Sequence, residues 1–329
     1  MPSAIKEKFQ TVKHMIEDSE YILLAGHKNP DGDSLGSLLA LHLAISENLG
    51  KNTIPYMTDK EVPQSLDFLP DKELLNDKIS WYPDLVIGVD YGDFSRLNLP
   101  EDIAQGARII TFDHHPYSGQ RGDVQIIETQ FSSTAELVYH FLREVNWHIS
   151  KRTALCLLTG ILTDTGAFAH NTSARTVKVA GELLEKGAPL HAIHSKTFAG
   201  KRPEVLNIWG NILQKMKTEQ EYNFSHAIVS FDEFKKFGIV LDDFTGLISV
   251  MNTADETDFS ILAIEYERGK IKGSLRSDKF KDIDVSRIAE ALGGGGHKYA
   301  AGFSLECSAK EAKEKIFKAV QNSLQKVRN

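Results

Sequence analysis

Four short polar clusters interrupt otherwise apolar stretches in the first half of the chain. "HKNPDGDS" holds His27, Asp31 and Asp33; Asp90 ends "DLVIGVD"; "TFDHHP" holds Asp113, His114 and His115; and "TDTG" holds Asp164. Neither a charge nor an imidazole gains from packing at the end of a buried element, so these residues call for a partner. Oxygen ligands with a few nitrogens suit Mn²⁺ or Mg²⁺ and fit Zn²⁺ less well, and the clusters contain no cysteine to make a thiolate site. Manganese is the first choice. The carboxylates and imidazoles exceed what one ion needs, and so many anions together without cations would repel one another. Two ions about 3.5–4 Å apart would neutralise them, an arrangement suited to in-line displacement at phosphorus in which water attacks and the cations stabilise the developing charge.

The elements between the clusters must carry them to one place. An amphipathic helix over Ile5 to Asp18 precedes "YILLAG", a short apolar run ending in glycine that reads as a buried strand. Ser34 reads as the N-cap of the helix "LGSLLALHLAISENL", which Gly50 terminates. Asp84 to Asp90 and Ala107 to Asp113 are two further buried strands, and the alternation predicts a parallel α/β sheet. "SSTAELVYHFLREV" is a helix capped by Ser132 or Ser133, and Ser132, Ser133 and Thr134 all read as capping residues. "TALCLLTGILTDTG" is a helix apolar nearly all round and therefore buried, with Asp164 at its end, and "SARTVKVAGELLEKG" closes the half. In an open α/β sheet the carboxyl ends of the strands share one crevice, where the separate clusters would meet.

The second half differs in style. "HAIVSF", "FSILAIEYER" and "IKGSLRSD" read as strands, the last two joined by a hairpin at Arg268-Gly269-Lys270. "DVSRIAEAL" is a helix, "GGGGHKYAAG" a glycine loop, and "SAKEAKEKIFKAVQNSLQKV" a terminal amphipathic helix. The expected layout is a catalytic domain over 1–186, a linker over 187–203 rich in small residues, Pro and Gly, and a smaller α/β domain over 204–329.

Bulk properties bound the function. A chain of 329 residues with 41% hydrophobic and 25% charged residues is an ordinary globular protein, large enough for two cores. A formal net charge of -7 excludes the overall basic field needed for tight binding of long duplex nucleic acid. The two cysteines, Cys156 and Cys307, read as reduced thiols, and no stretch reaches the roughly 18 apolar residues of a membrane span, so a cytoplasmic protein with no membrane partner is expected. His191 and His194 could share a helix face, but no third ligand accompanies them.

The ordered set "HKNPDGDS", Val89-Asp90, "DHH" and "TDTG" resembles the DHH phosphoesterase superfamily, and "GSLRS" followed by "GGGGHKYAAG" resembles its DHHA1 substrate-binding domain. Together the motifs cover the chain from about residue 20 to its end. The resemblance implies a parallel-sheet DHH domain plus a smaller α/β DHHA1 domain, with the active site in the cleft between them. It implies that His27 and Asp31 bind one Mn²⁺, that Asp33, His114 and Asp164 bind the other, and that Asp90 bridges both, with Mg²⁺ or Co²⁺ as substitutes. His115 would face the phosphate as donor or general acid, Asp113 would orient a histidine, and Arg276 and His297 would grip a terminal phosphate approached closely by the backbone of Gly293, Gly294, Gly295 and Gly296.

Within the superfamily the compact layout resembles the NanoRNase/pAp phosphatases, which act on very short oligoribonucleotides and adenosine 3',5'-bisphosphate, with relatives acting on cyclic or linear di-adenylate. The partners so implied are short single-stranded RNA or dinucleotides, and a second copy of the chain in a homodimer. A soluble inorganic pyrophosphatase is the alternative, since such enzymes share the metal clusters. The glycine-His loop argues against it.

Overall fold

The computed structural model describes residues 3–58, 61–116, 119–198 and 201–328, the last four as backbone alone. The chain divides into two compact units, Met1–Ala199 and Gly200–Asn329.

In the first unit the order is α1 (Ser3–Asp18), β1 (Ile22–Gly26), α2 (Gly32–Leu49), β2 (Thr53–Tyr56), β3 (Leu85–Val89), α3 (Glu101–Gly106), β4 (Arg108–Asp113), β5 (Val124–Ile127), α4 (Thr134–Glu144), α5 (Lys151–Asp164), α6 (Ala174–Glu185) and α7 (Leu190–Thr197). The five strands form an all-parallel sheet in the order β2-β1-β3-β4-β5, as the alternating apolar runs predict. Successive residues serve opposite faces. Ile22, Leu24, Ile87, Val89, Ile110 and Phe112 join one large core, while Leu23, Ala25, Val86 and Ile109 join a smaller one on the other side.

Both edge strands escape the sequence reading. β2 is the four residues "TIPY", whose Pro55 is tolerated because it sits on an edge, and β5 is "VQII", only partly buried. Neither offers the continuous apolar run that marks β1, β3 and β4. A second difference concerns α2, whose N-cap is Asp31 rather than Ser34. The Asp31 side chain accepts hydrogen bonds from the backbone N–H groups of Asp33 and Ser34, so the helix starts earlier than the apolar periodicity suggests.

The strand order changes direction between β1 and β3. That point is where a doubly wound sheet leaves a crevice at its carboxyl edge. α5 packs against α2 and α4: Ala154, Cys156, Leu157, Leu158, Ile161 and Leu162 are all buried, the leucines and Ile161 each contributing roughly 1.5–3 kcal/mol relative to exposure. It crosses α2 at two glycines. A Cβ on Gly36 would lie 2.6 Å from the Cys156 carbonyl oxygen, and one on Gly160 would lie 2.7 Å from Oδ1 of Asp33.

The second unit contains α8 (Pro203–Gln214), β6 (Lys217–Glu219), β7 (Phe224–Val229), α9 (Phe231–Phe237), α10 (Leu247–Met251), β8 (Phe259–Glu267), β9 (Lys270–Ser277), α11 (Val285–Ala291), β10 (Gly295–His297), β11 (Ala300–Glu306) and α12 (Ala309–Arg328). Its mixed sheet runs β10-β11-β9-β8-β7-β6, with only β7 and β8 parallel. The hairpin between β8 and β9 turns on Arg268 and Gly269, and Gly269 takes the positive φ (77°) that such a tight turn needs. Residues 187–203, read from sequence as a linker, hold α7 and the start of α8. Ile193 of α7 is fully buried in the core of the first unit. The glycine run is not wholly a loop either, because Gly295–His297 pair with Ala300–Gly302 as an edge strand. Among the described residues no helix is long and apolar enough to cross a membrane.

Candidate metal centre

His27 follows the last residue of β1 and is 3% exposed. Its Nδ1 lies 2.7 Å from the carbonyl oxygen of Lys28, so that nitrogen carries the proton and donates. Nε2 therefore keeps its lone pair, and it faces Asp31 Oδ2 at 3.6 Å and Asp90 Oδ2 at 3.8 Å. Asp31 divides its oxygens between two tasks. Oδ1 caps α2 and Oδ2 faces His27.

Asp33, in the first turn of α2, is 1% exposed. Thr134 N–H donates to its Oδ2 at 2.7 Å and Ala135 N–H to its Oδ1 at 2.9 Å, so the start of α4 points two backbone donors at one carboxylate. Asp90 stands one residue past β3 with φ at 55°, the left-handed region that costs a non-glycine residue energy. Its N–H is held by the Phe112 carbonyl at 2.9 Å. Its two oxygens face different groups: Oδ2 faces His27, whereas Oδ1 lies 3.6 Å from His114 Nε2, 3.4 Å from His115 Nδ1 and 3.0 Å from the Thr134 hydroxyl, which donates to it.

Asp113 ends β4 completely buried. Gly92 N–H donates to its Oδ2 at 2.7 Å, and its Oδ1 meets both the N–H and the Nδ1 of His115, at 3.0 and 2.9 Å. His114 directs Nε2 into the cluster, 3.9 Å from Asp33, 3.6 Å from Asp90 and 3.5 Å from Asp164, which closes α5.

Among the described residues of this unit, three sets of potential ligand atoms gather within 4.8 Å of one another: His27, Asp31 and Asp90; Asp33, Asp90 and His114; and Asp90, Asp113 and His115. Asp90 belongs to all three. Separations of 3.4–3.9 Å are too long for hydrogen bonds. They fall between the roughly 3.0 Å that adjacent ligands and the roughly 4.2 Å that opposite ligands keep around one octahedral cation with bonds of about 2.1 Å.

The electrostatics of the bare cluster ask for cations. Burial and the charge of Asp164 raise Asp33 to about 7 against the pull of His114, and burial with Asp33 and Asp31 raises Asp90 well above the usual carboxylate range. Burial lowers His114, which keeps it neutral as a ligand must be. His115 and Asp113 behave as a pair. Burial works against the charge on each, but their shared hydrogen bond and attraction win, raising the histidine and lowering the acid. The donor set is oxygen and imidazole throughout, with Cys156 packed in the core on α5, so the residues fit hard divalent cations.

Sequence reasoning reached His27, Asp31, Asp33, Asp90, Asp113, His114, His115 and Asp164, and the structure brings all eight together. It missed Thr134, which reads as one more capping residue. It also missed Gly160, although a glycine inside a buried helix costs about 1 kcal/mol and could have been noticed on that ground. In the second unit Arg276 of β9 and His297 of β10 are both paired opposite Ala300 of β11, so they stand in one row on one face of that sheet with only a methyl between them. The glycines beside His297 differ in what they do. A Cβ on Gly294 would lie 2.1 Å from the Gly302 carbonyl and one on Gly296 2.6 Å from the Ala300 carbonyl, so both are demanded by β11, whereas Gly295 has open space.

The chain matches the DHH family, N-terminal domain, over residues 21–161 and the DHHA1 domain over residues 229–326. It is 29% identical to the bifunctional oligoribonuclease and PAP phosphatase NrnA of Thermus thermophilus, covering 97% of this chain and 95% of that protein. A crystal structure of an exopolyphosphatase-related protein from Bacteroides fragilis superposes with a TM-score of 0.88 at 26% identity, covering 98% of each chain. RecJ from Thermus thermophilus, solved in complex with Mn²⁺, shares the fold at a TM-score of 0.57 and 15% identity, covering 97% of this chain and 54% of RecJ.

Proposed function

The chain belongs to the DHH/DHHA1 phosphoesterase superfamily and is a hydrolase, and from that premise we propose that it is a Mn²⁺-dependent enzyme cleaving short oligoribonucleotides and adenosine 3',5'-bisphosphate with two cations. One observation carries the two-cation reading: Asp90 turns one oxygen toward the His27 and Asp31 group and the other toward the His114 and Asp33 group. A carboxylate so placed is suited to bridging. In this reading His27 and Asp31 hold one ion, Asp33, His114 and Asp164 hold the other, and Asp90 is shared. When bound, the pair supplies Lewis-acid stabilisation of the phosphoryl oxygens and lowers the pKa of water. The RecJ complex with Mn²⁺ supports the choice of metal by analogy of fold alone.

The chain's own residues supply the rest. As a water oxygen bonds to phosphorus and the P–O bond to the leaving nucleoside breaks, His115, whose charged form is favoured by its bond from Nδ1 to Asp113, donates a proton to the departing oxygen. Asp113 fixes the tautomer and the ring plane. Arg276 and His297, in one row of the second sheet, bind a terminal phosphate of the substrate, and the backbone beside Gly295, where no side chain intrudes, approaches it. The similarity to NrnA over nearly the whole chain supports this substrate class.

A panel of substrates tests this reading: pApA, a trinucleotide, a long RNA, a duplex DNA, adenosine 3',5'-bisphosphate, cyclic di-adenylate and pyrophosphate, each with Mn²⁺, Mg²⁺ and Co²⁺. The expected result is release of mononucleotides from the di- and trinucleotide and of phosphate from adenosine 3',5'-bisphosphate, fastest with Mn²⁺. Turnover of pyrophosphate with the nucleotides untouched would contradict it.

A further inference from the structure

We propose that Thr134 is a positioning residue of the metal centre: its hydroxyl sets the plane of the Asp90 carboxylate so that each oxygen serves a different ion, while its backbone N–H holds Asp33. This rests on the two-cation reading and adds a residue outside the ligand set.

The terminal torsion of an aspartate is broad, so its own rotamer preference does not fix where the two oxygens point. Asp90 is 2% exposed, which leaves water little part in fixing it, and its backbone is already committed at a φ of 55°. A specific donor must therefore choose the carboxylate plane. The Thr134 hydroxyl is that donor, 3.0 Å from Oδ1. It is not needed by the helix it begins, because Ser133 caps α4 by accepting from Glu136 N–H at 3.0 Å.

The segment around Thr134 is itself anchored away from the metal ligands. Glu136 is fully buried; its Oε2 accepts from Ser132 N–H at 2.9 Å, Ser132 Oγ at 2.7 Å and Thr176 Oγ1 at 3.1 Å, and its Oε1 accepts from Arg175 Nε at 2.8 Å. Anchored this way, one residue touches two carboxylates of the same set, through N–H to Asp33 at 2.7 Å and through the hydroxyl to Asp90. Replacing threonine by valine removes only the second contact.

The test is Mn²⁺ binding to the intact chain, followed by electron paramagnetic resonance of the free ion, for the wild type, Thr134→Val, Thr134→Ala and Thr134→Ser, with thermal melts and steady-state kinetics on adenosine 3',5'-bisphosphate. The expected result is two ions in the wild type and a loss of roughly 10–100-fold in affinity for one of them in the Val and Ala variants. The same two variants should lower kcat with KM within about two-fold, and Thr134→Ser should restore both affinity and kcat. Two truncations of different shape guard against a packing fault in either one. Wild-type affinity for both ions in the Val and Ala variants, or a Ser variant as defective as they are, overturns the inference. A wild type that saturates with a single ion overturns the two-cation reading itself, and shows it before any variant is compared.

Discussion

At the scale of residues, the cluster is unstable as a set of bare anions, and the sign of that instability can be measured. Burial and Asp164 raise Asp33 from 3.8 to about 7 in the folded chain. The folded protein thus binds a proton that the unfolded chain lacks in the window from about pH 4 to 7. Stability from this group is fully present below the unfolded value and is lost as pH rises through the folded one. Metal-free protein should therefore show a thermal midpoint that falls more steeply between about pH 4 and 7 than that of Asp33→Asn. Mn²⁺ added near pH 6 should release protons, seen as calorimetric heats that differ between buffers of different ionisation enthalpy. Equal slopes and buffer-independent heats would count against it. The eight clustered residues were legible because acids and histidines at the ends of apolar runs have no packing rationale. Thr134 was not, because a threonine beside a helix cap has an ordinary one.

At the scale of elements, Asp31 joins a helix start to a candidate ligand position, and the two roles separate by substitution. Its Oδ1 caps α2 and its Oδ2 faces His27. Asparagine caps as well as aspartate, and alanine does not cap at all. Asp31→Asn should keep the chemical-denaturation stability of the metal-free chain while weakening Mn²⁺ binding, and Asp31→Ala should lose about 1 kcal/mol of stability in addition. Equal stability of the two variants would show that the cap is dispensable. The central strands and the buried α5 were readable from continuous apolar runs, whereas β2 and β5 were not, since edge strands need no such run and Pro55 argued against one. The glycine run shows the opposite limit. Four consecutive glycines read as a loop, and only the backbone of β11 lying against Gly294 and Gly296 reveals an edge strand.

At the scale of the whole molecule, two units with separate cores share the work proposed for one enzyme. The first gathers candidate ligands from the ends of β1, β3 and β4, from the first turn of α2 and from the last residue of α5, contributed by segments far apart in sequence. The second sets Arg276 and His297 in one row. That the clusters would converge was legible, because parallel strands deliver their carboxyl ends to one edge. Which oxygen of Asp90 faces which group was not, because it depends on a left-handed backbone residue and a hydroxyl contributed from α4. The account stands on Asp90 joining two cations, and counting them is the most direct test. Manganese per chain should be measured by elemental analysis after equilibrium dialysis, in the wild type and in Asp90→Asn, with hydrolysis of adenosine 3',5'-bisphosphate followed in the same samples. The account predicts two ions in the wild type, and at most one in the folded variant with activity reduced by at least about 10²-fold. Two ions and full activity in Asp90→Asn, or a wild type active with one, would contradict it.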